Sequence, residues 1–165
     1  MNRKLLLAAL VASAFTAGNA LAATAFDDFQ VKIVLTNSCT IVADDLDFGS
    51  VTGLTADIDV DTAVHVTCTG ANPVSVAFNA GSGTGSTIAA RAMNSGANVV
   101  GYNIYTSAAR GTPLGTTAGV GGNTIDFTST GGGSTDDKTV YGRVPAQAAK
   151  PNGTYLSTVR ATVTY

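Results

Sequence analysis

Three aspartates at alternate positions, Asp57, Asp59 and Asp61 in DIDVD, offer the carboxylate density of a calcium loop. Such a loop needs glycine at its sixth position and glutamate at its twelfth. Counted from Asp57, those positions hold Thr62 and Cys68. The alternation fits a strand instead, with Ile58 and Val60 inward and the aspartates outward. Asp44, Asp45 and Asp47 could supply paired catalytic carboxylates. They fall in DDLDFG, a turn-rich stretch where aspartate serves local hydrogen bonding. His65, the single histidine, sits between Val64 and Val66 and so points away from their apolar face. No G-x-S-x-G elbow gives it a nucleophile, and it reads as an exposed surface residue. Gly81-Ser82-Gly83-Thr84-Gly85 lacks the lysine of a phosphate loop and reads as a plain loop. Tyr102, Tyr105, Tyr141 and Tyr155 could line a sugar-binding surface, but alternation places Tyr102 with the apolar face of its strand. None of these sets completes a catalytic or metal-binding constellation, so no enzyme activity, cofactor or metal is expected.

Cys39 and Cys68 are a different kind of chemistry, and compartment decides which. Arg3 and Lys4 precede the apolar run Leu5 to Phe15, and Ala20-Leu21-Ala22 supplies small residues before a cut at Ala23. That is a signal peptide over residues 1–22. Its apolar run of about 11 residues falls well short of the ~20 that span a bilayer. No later stretch is apolar enough, so direct membrane insertion is not expected. In an exported chain an isolated cysteine pair is most simply a disulfide. Closing a loop of about 30 residues, it stabilises by roughly 3–4 kcal/mol on the chain-entropy model.

Loss of Arg3 and Lys4 takes the formal charge from −2 to −4, and the remaining cations are scattered. That balance suggests neither a nucleic-acid binder nor a binder of anionic membranes, and no nucleic-acid partner is expected. All 11 acidic residues are Asp, and 19 glycines accompany abundant Thr and Val. This composition favours turns and strands over helices. Alternating runs then mark the elements: AVHVTCT (63–69), PVSVAFNA (73–80), NVVGYNIYTSA (98–108), NTIDFTS (123–129), KTVYGRVPAQ (138–147) and YLSTVRATVTY (155–165). Between them, GSGTGST, GGGSTDD (131–137) and Pro151-Asn152-Gly153 read as loops and turns. Six to eight strands at this spacing predict one all-β domain, a sandwich or barrel.

One strand signal has no place in that domain. In FQVKIVLTNSC, Phe29, Val31, Ile33 and Leu35 alternate with Gln30, Lys32, Val34 and Thr36, and no turn follows to fold the run back on a partner. The last strand reaches Tyr165 with nothing after it. The chain therefore carries a strand to spare at its beginning and none beyond its final strand.

An ordered set of short motifs resembles the spore coat protein U domain family, found in subunits of archaic chaperone–usher pili of the Csu type. The set comprises Cys39, Asp47-Phe48-Gly49, Val66-Thr67-Cys68-Thr69, Arg91-Ala92-Met93, Tyr102-Asn103-Ile104-Tyr105, Tyr141-Gly142-Arg143-Val144-Pro145 and Gly153-Thr154-Tyr155 leading into Thr158 to Tyr165. Two positions depart from the family pattern: Pro113-Leu114-Gly115 stands where a Trp-Gly pair is frequent, and Tyr155-Leu156-Ser157-Thr158 lacks the usual aspartate. The resemblance implies an immunoglobulin-like β-sandwich lacking its C-terminal strand, completed by a donor strand from a neighbouring subunit. It implies residues 23–36 as that donor extension and residues 37–165 as the pilin domain, with Phe29, Val31, Ile33 and Leu35 as the plug residues. The implied partners are neighbouring pilin subunits, a periplasmic chaperone and an outer-membrane usher. The implied destination, through the periplasm, is a cell-surface pilus serving adhesion and biofilm formation. The other reading of the same residues is a secreted or spore-coat-like monomeric binding module, in which Phe29 to Leu35 is an ordinary first strand.

Overall fold

In the computed structural model, residues 23–165 are described; residues 1–22, expected from the sequence to be a signal peptide, lie outside them. The chain divides into two units at Val34/Leu35, and the folded domain lies within Leu35–Tyr165. Among the described residues every regular element is a strand: β1 (Cys39–Ala43), β2 (Ile58–Cys68), β3 (Pro73–Phe78), β4 (Arg91–Ser95), β5 (Asn98–Tyr105), β6 (Ile125–Thr128), β7 (Thr135–Val144) and β8 (Ala161–Thr164). They form a five-stranded sheet, β1-β2-β7-β5-β4, and a three-stranded sheet, β6-β3-β8. All pairings are antiparallel. The all-β sandwich expected from the composition is what the chain adopts.

Alternation sets which side chains meet between the sheets. Val64, Val66 and Cys68 of β2, Val74, Val76 and Phe78 of β3, Val100, Tyr102 and Ile104 of β5, and Val140 and Val144 of β7 are buried together. Tyr102 thus joins the core, as its parity requires. The disulfide joins Cys39 to Cys68, directly opposed residues of β1 and β2, and pins the first residue of an edge strand to a central one.

Four elements differ from the sequence reading. DIDVD and AVHVTCT are one continuous strand, because β7 pairs along nearly its whole length, from Ile58↔Val144 to Thr67↔Thr135. Its partner β7 begins at Thr135, inside the stretch read as a loop. Arg91–Ser95 is a strand that periodicity does not signal, since a buried arginine begins it. The final strand is laddered only over Ala161–Thr164, where β3 lies beside it from Phe78 to Ser75.

β4 begins on a buried cation, Arg91. It is 1% exposed, and no carboxylate pairs with it among the described residues. Its guanidinium donates instead to the carbonyls of Asn79 (2.8 Å), Leu114 (2.6 Å) and Ile88 (3.2 Å) and to Asn103 Oδ1 (2.6 Å). One fork of donors thereby satisfies the backbone of two connections, Asn79 and Ile88 between β3 and β4 and Leu114 between β5 and β6. Burial lowers its pKa.

Candidate functional site

The core is not sealed all round. Beside the fully buried residues, Ile41 of β1, Leu46, Phe48, and Val159, Ala161 and Val163 at β8 pack against it while staying partly open. These residues belong to two stretches of chain, Ile41 to Phe48 and Val159 to Val163. β1 and β8, an edge strand from each sheet, lie alongside each other. Beyond β1, Leu46 and Phe48 continue inward with Asp47 outward, the alternation of a strand. Leu46 fits because residue 142 is glycine: a Cβ there would lie 2.6 Å from Leu46 Cδ2. Phe48 meets Tyr102 edge to face, with ring centroids 6.3 Å apart. On the other side of Tyr102, a Cβ on Gly81 would lie 3.3 Å from both Tyr102 Oη and Val159 Cγ2. The Leu46–Phe48 wall and the start of β8 thus look onto the same patch of core.

Both sides of this seam present unpaired backbone among the described residues. β8 bonds to β3 along one edge and to nothing along the other. Leu46, Asp47 and Phe48 make no backbone–backbone hydrogen bond at all, despite their strand-like alternation. Edge groups over a half-open core form a template for another strand.

The spare strand of the sequence has the complementary character. Residues 23–38 belong to no strand, and Phe29, Val31, Ile33 and Leu35 are 86%, 84%, 81% and 86% exposed. Its base is fixed. Ser38 accepts from Thr69 N (2.9 Å) and donates to Thr69 Oγ1 (3.0 Å), while Asn37 Oδ1 accepts from Gly70 N (2.8 Å). These bonds carry the β1–β2 pairing past the disulfide to Asn37. Between Leu35 and Asn37, Thr36 alone is left to reverse the chain, and the tightest hairpin loop takes two residues.

The other candidate residues have separate occupations. Asp57, Asp59 and Asp61 face arginines: Arg143 grips Asp59 with two bonds of 2.7 Å and reaches Asp57 at 3.3 Å, and Arg110 meets Asp61 at 2.8 Å and Asp59 at 3.2 Å. The Arg143 bonds hold the Asp59 carboxyl below its ordinary pKa. Arg110 also lies over the Tyr141 ring, 5.8 Å from its centroid. Ile58 and Val60 turn inward and Asp59 and Asp61 outward, as their alternation predicts. The tyrosines do not converge on one surface. Tyr102 is in the core, Tyr105 and Tyr141 face each other across β5 and β7, and Tyr155 Oη donates to the Pro151 carbonyl (2.8 Å).

His65 is more engaged than its sequence context suggests. Nδ1 lies 2.6 Å from Asp137 Oδ1 on β7, and Nε2 lies 3.1 Å from Asp44 Oδ2 just past β1. Asp137 and then Asp44 raise the imidazole pKa above its ordinary value. The two carboxylates sit on opposite sides of the ring and bridge three neighbouring strands. Of the three aspartates in DDLDFG, only Asp44 has an ion-pair partner; Asp47 accepts from Gly49 N (2.7 Å) in a local turn.

A family model described as the Spore Coat Protein U domain matches residues 25–162. Among solved structures, the chain is similar to one in the crystal structure of the CsuC–CsuE chaperone–tip adhesion subunit pre-assembly complex, from archaic chaperone–usher Csu pili of Acinetobacter baumannii. Identity is 22% and the TM-score 0.54, a likeness of fold. The match covers 79% of this chain and 40% of that one, so this chain spans well under half of the solved chain's length. No curated protein matches the sequence significantly. With its motifs in family order and a matching model over nearly all the described residues, the chain belongs to the Spore Coat Protein U domain family.

Proposed function

We propose that the protein is a structural pilin subunit of a chaperone–usher surface pilus, polymerising by donor-strand exchange. Residues 23–36 of one copy form the donor. Phe29, Val31, Ile33 and Leu35 enter the seam between β8 and the Leu46–Phe48 wall of the next copy and complete its sandwich. The observation that carries this reading is the coexistence, in one chain, of an exposed alternating apolar row and an unpaired, half-open seam. The fixed base of the extension supports an exchange between copies, because Thr36 alone is too short to close a tight hairpin onto β1.

Energies of the right size support it. Burying four large apolar side chains stabilises by about 6–12 kcal/mol, an upper bound set by an extended reference chain. Each new ladder bond adds about 0.5–1.5 kcal/mol. Against a domain stability of ~5–15 kcal/mol, a subunit without its donor is marginal and prone to edge-to-edge association. Strand addition, with alternate side chains in pockets, is an established mode of recognition. A periplasmic chaperone would cover the seam before assembly and an outer-membrane usher would direct export; adhesion and biofilm formation would be properties of the fibre. No helix among the described residues is long and apolar enough to cross a membrane.

The test is unboiled gel electrophoresis of the periplasmic protein co-expressed with a Csu-type chaperone and usher, with and without residues 23–36. A multimer ladder that collapses on heating and vanishes in the truncation is the expected result. A monomer band from both, with the truncated form still folded, replaces this reading with the self-complete binding module.

A further inference from the structure

The apolar row of the extension has a weakness as a specificity device. Val31, Ile33 and Leu35 are close in size, and a slip of two residues, about 7 Å along the strand, keeps every plug on the inward face. The burial pattern rejects a one-residue slip but discriminates poorly against a two-residue one. The outward row must then help to choose.

That row holds one cation. Lys32 is the only Lys or Arg between residues 23 and 38, it is exposed, and it makes no ion pair among the described residues. Facing outward from the wall, between inward Leu46 and Phe48, is Asp47. Its carboxylate is exposed and holds only the Gly49 amide. Neighbouring Asp44 is already taken by His65. Across the seam, the outward residues of the β8 stretch are Arg160, Thr162 and Thr164, and Arg160 is exposed without a carboxylate partner among the described residues. A strand lying in the seam therefore has an acidic side and a side carrying one basic position.

We propose that Lys32 of one copy pairs with Asp47 of the next and so sets the register in which the extension seats. The inference rests on the donor-strand reading above. Pairing with Asp47 favours the register that brings Lys32 beside the middle of the wall. Repulsion disfavours a slip that brings it to Arg160. Such a rim pair adds little to total affinity; its effect is on encounter and alignment. It acts as the outward counterpart of the plugs, which supply affinity without choosing among even-numbered shifts.

The experiment uses the full-length disulfide-bonded chain at low concentration and labelled peptides of residues 23–36, wild type and K32D. At low salt, the K32D peptide should associate with the wild-type chain about fivefold more slowly, recover on D47K, and lose most of the difference at high salt. A photo-crosslinking residue in place of Val34 should mark one acceptor position with the wild-type peptide, and positions two residues apart with K32D. Equal rates for the two peptides on the wild-type chain, with unchanged cross-links, overturn the pairing while leaving strand docking intact. That comparison does not depend on how D47K folds. Failure of both peptides to bind overturns the donor-strand reading itself, and this inference with it.

Discussion

The two long sides of the sandwich are built from the same residue types and end in different states. In the middle, Val64 and Val66 of β2 face Val74, Val76 and Phe78 of β3 across the core, each at most 3% exposed. At the seam, Val159, Ala161 and Val163 face the same core and stay partly open. Composition does not separate these regions, since valine dominates both. Pairing does. β2 has neighbours along both edges and its inward Val64, Val66 and Cys68 are buried, whereas β8 has one neighbour and the Leu46–Phe48 wall has none. Openness here is a property of missing backbone partners, and the apolar side chains at the seam are the ones a partner strand would cover.

The largest test of this contrast is a pair of truncations. Phe78→Ala, on the sealed side, should cost the lone subunit about 3–5 kcal/mol in urea unfolding. Val163→Ala, on the seam, should cost about 1 kcal/mol or less, because its side chain is only partly removed from water before a partner arrives. If the proposed donor strand fills the seam, the ranking should narrow in the multimer, where Val163 would be covered. Equal losses in the lone subunit would show that the seam is already closed and would break the comparison.

The disulfide is where the two regions meet, so its removal sharpens the contrast. Cys68 belongs to the sealed core and Cys39 begins the edge strand that leads into the wall. A Cys39→Ser/Cys68→Ser variant should lose about 3 kcal/mol by thermal or urea unfolding, chiefly through the freed unfolded chain. Amide hydrogen exchange should show the loss unevenly: β1 and the bonds at Asn37 and Ser38 open first, while β2, β3 and β7 keep their protection. Uniform loss across both regions would make the disulfide a general staple and not a pin for the edge.

Much of this was legible beforehand, for reasons specific to each element. Strands with one face buried and one wet, such as Pro73–Phe78 and Asn98–Tyr105, declare themselves by period two. The Cys39–Cys68 disulfide declared itself by the isolation of the pair in a chain that begins like an exported one, and the row Phe29 to Leu35, in no strand of the domain, stood out by having no turn. Arg91–Ser95 was illegible because a buried arginine held by carbonyls looks, in sequence, like a surface residue. The wall was half legible. Leu46-Asp47-Phe48 alternates, but three aspartates within four positions read as a turn, and its strand-like role depends on Gly142 lying beneath Leu46, a contact nearly a hundred residues away. The seam could not be read from periodicity at all, because Val159, Ala161 and Val163 carry the same signal whether or not another strand covers them.

His65 gives the smallest effect, and it falls on the boundary between the two regions. A protonated imidazole has two N–H donors and can hold Asp137 on β7 and Asp44 beside the wall together. A neutral ring has one. At 2.6 Å, Asp137 is the better placed to keep it, which leaves Asp44 facing a ring nitrogen lone pair. The folded-state pKa is raised, so the contribution to stability is fully present below the unfolded value of about 6.5 and is lost as pH rises through the higher folded value. The melting temperature should therefore drop by a small step as the pH rises through that upper range, and His65→Gln should remove the step. The loss should be local as well. Above the folded pKa, protection of the Asp44 amide, which donates to Ala63 O at 3.0 Å, should fall relative to its intrinsic exchange rate, while protection at the centre of β2 and β7 stays unchanged. A step of equal size in the glutamine variant would assign the pH dependence elsewhere and leave His65 as an ordinary surface contact. A step confined to the wild-type chain, with exchange changing only at the wall, would make this histidine the hinge point at which the open side is fastened to the closed one.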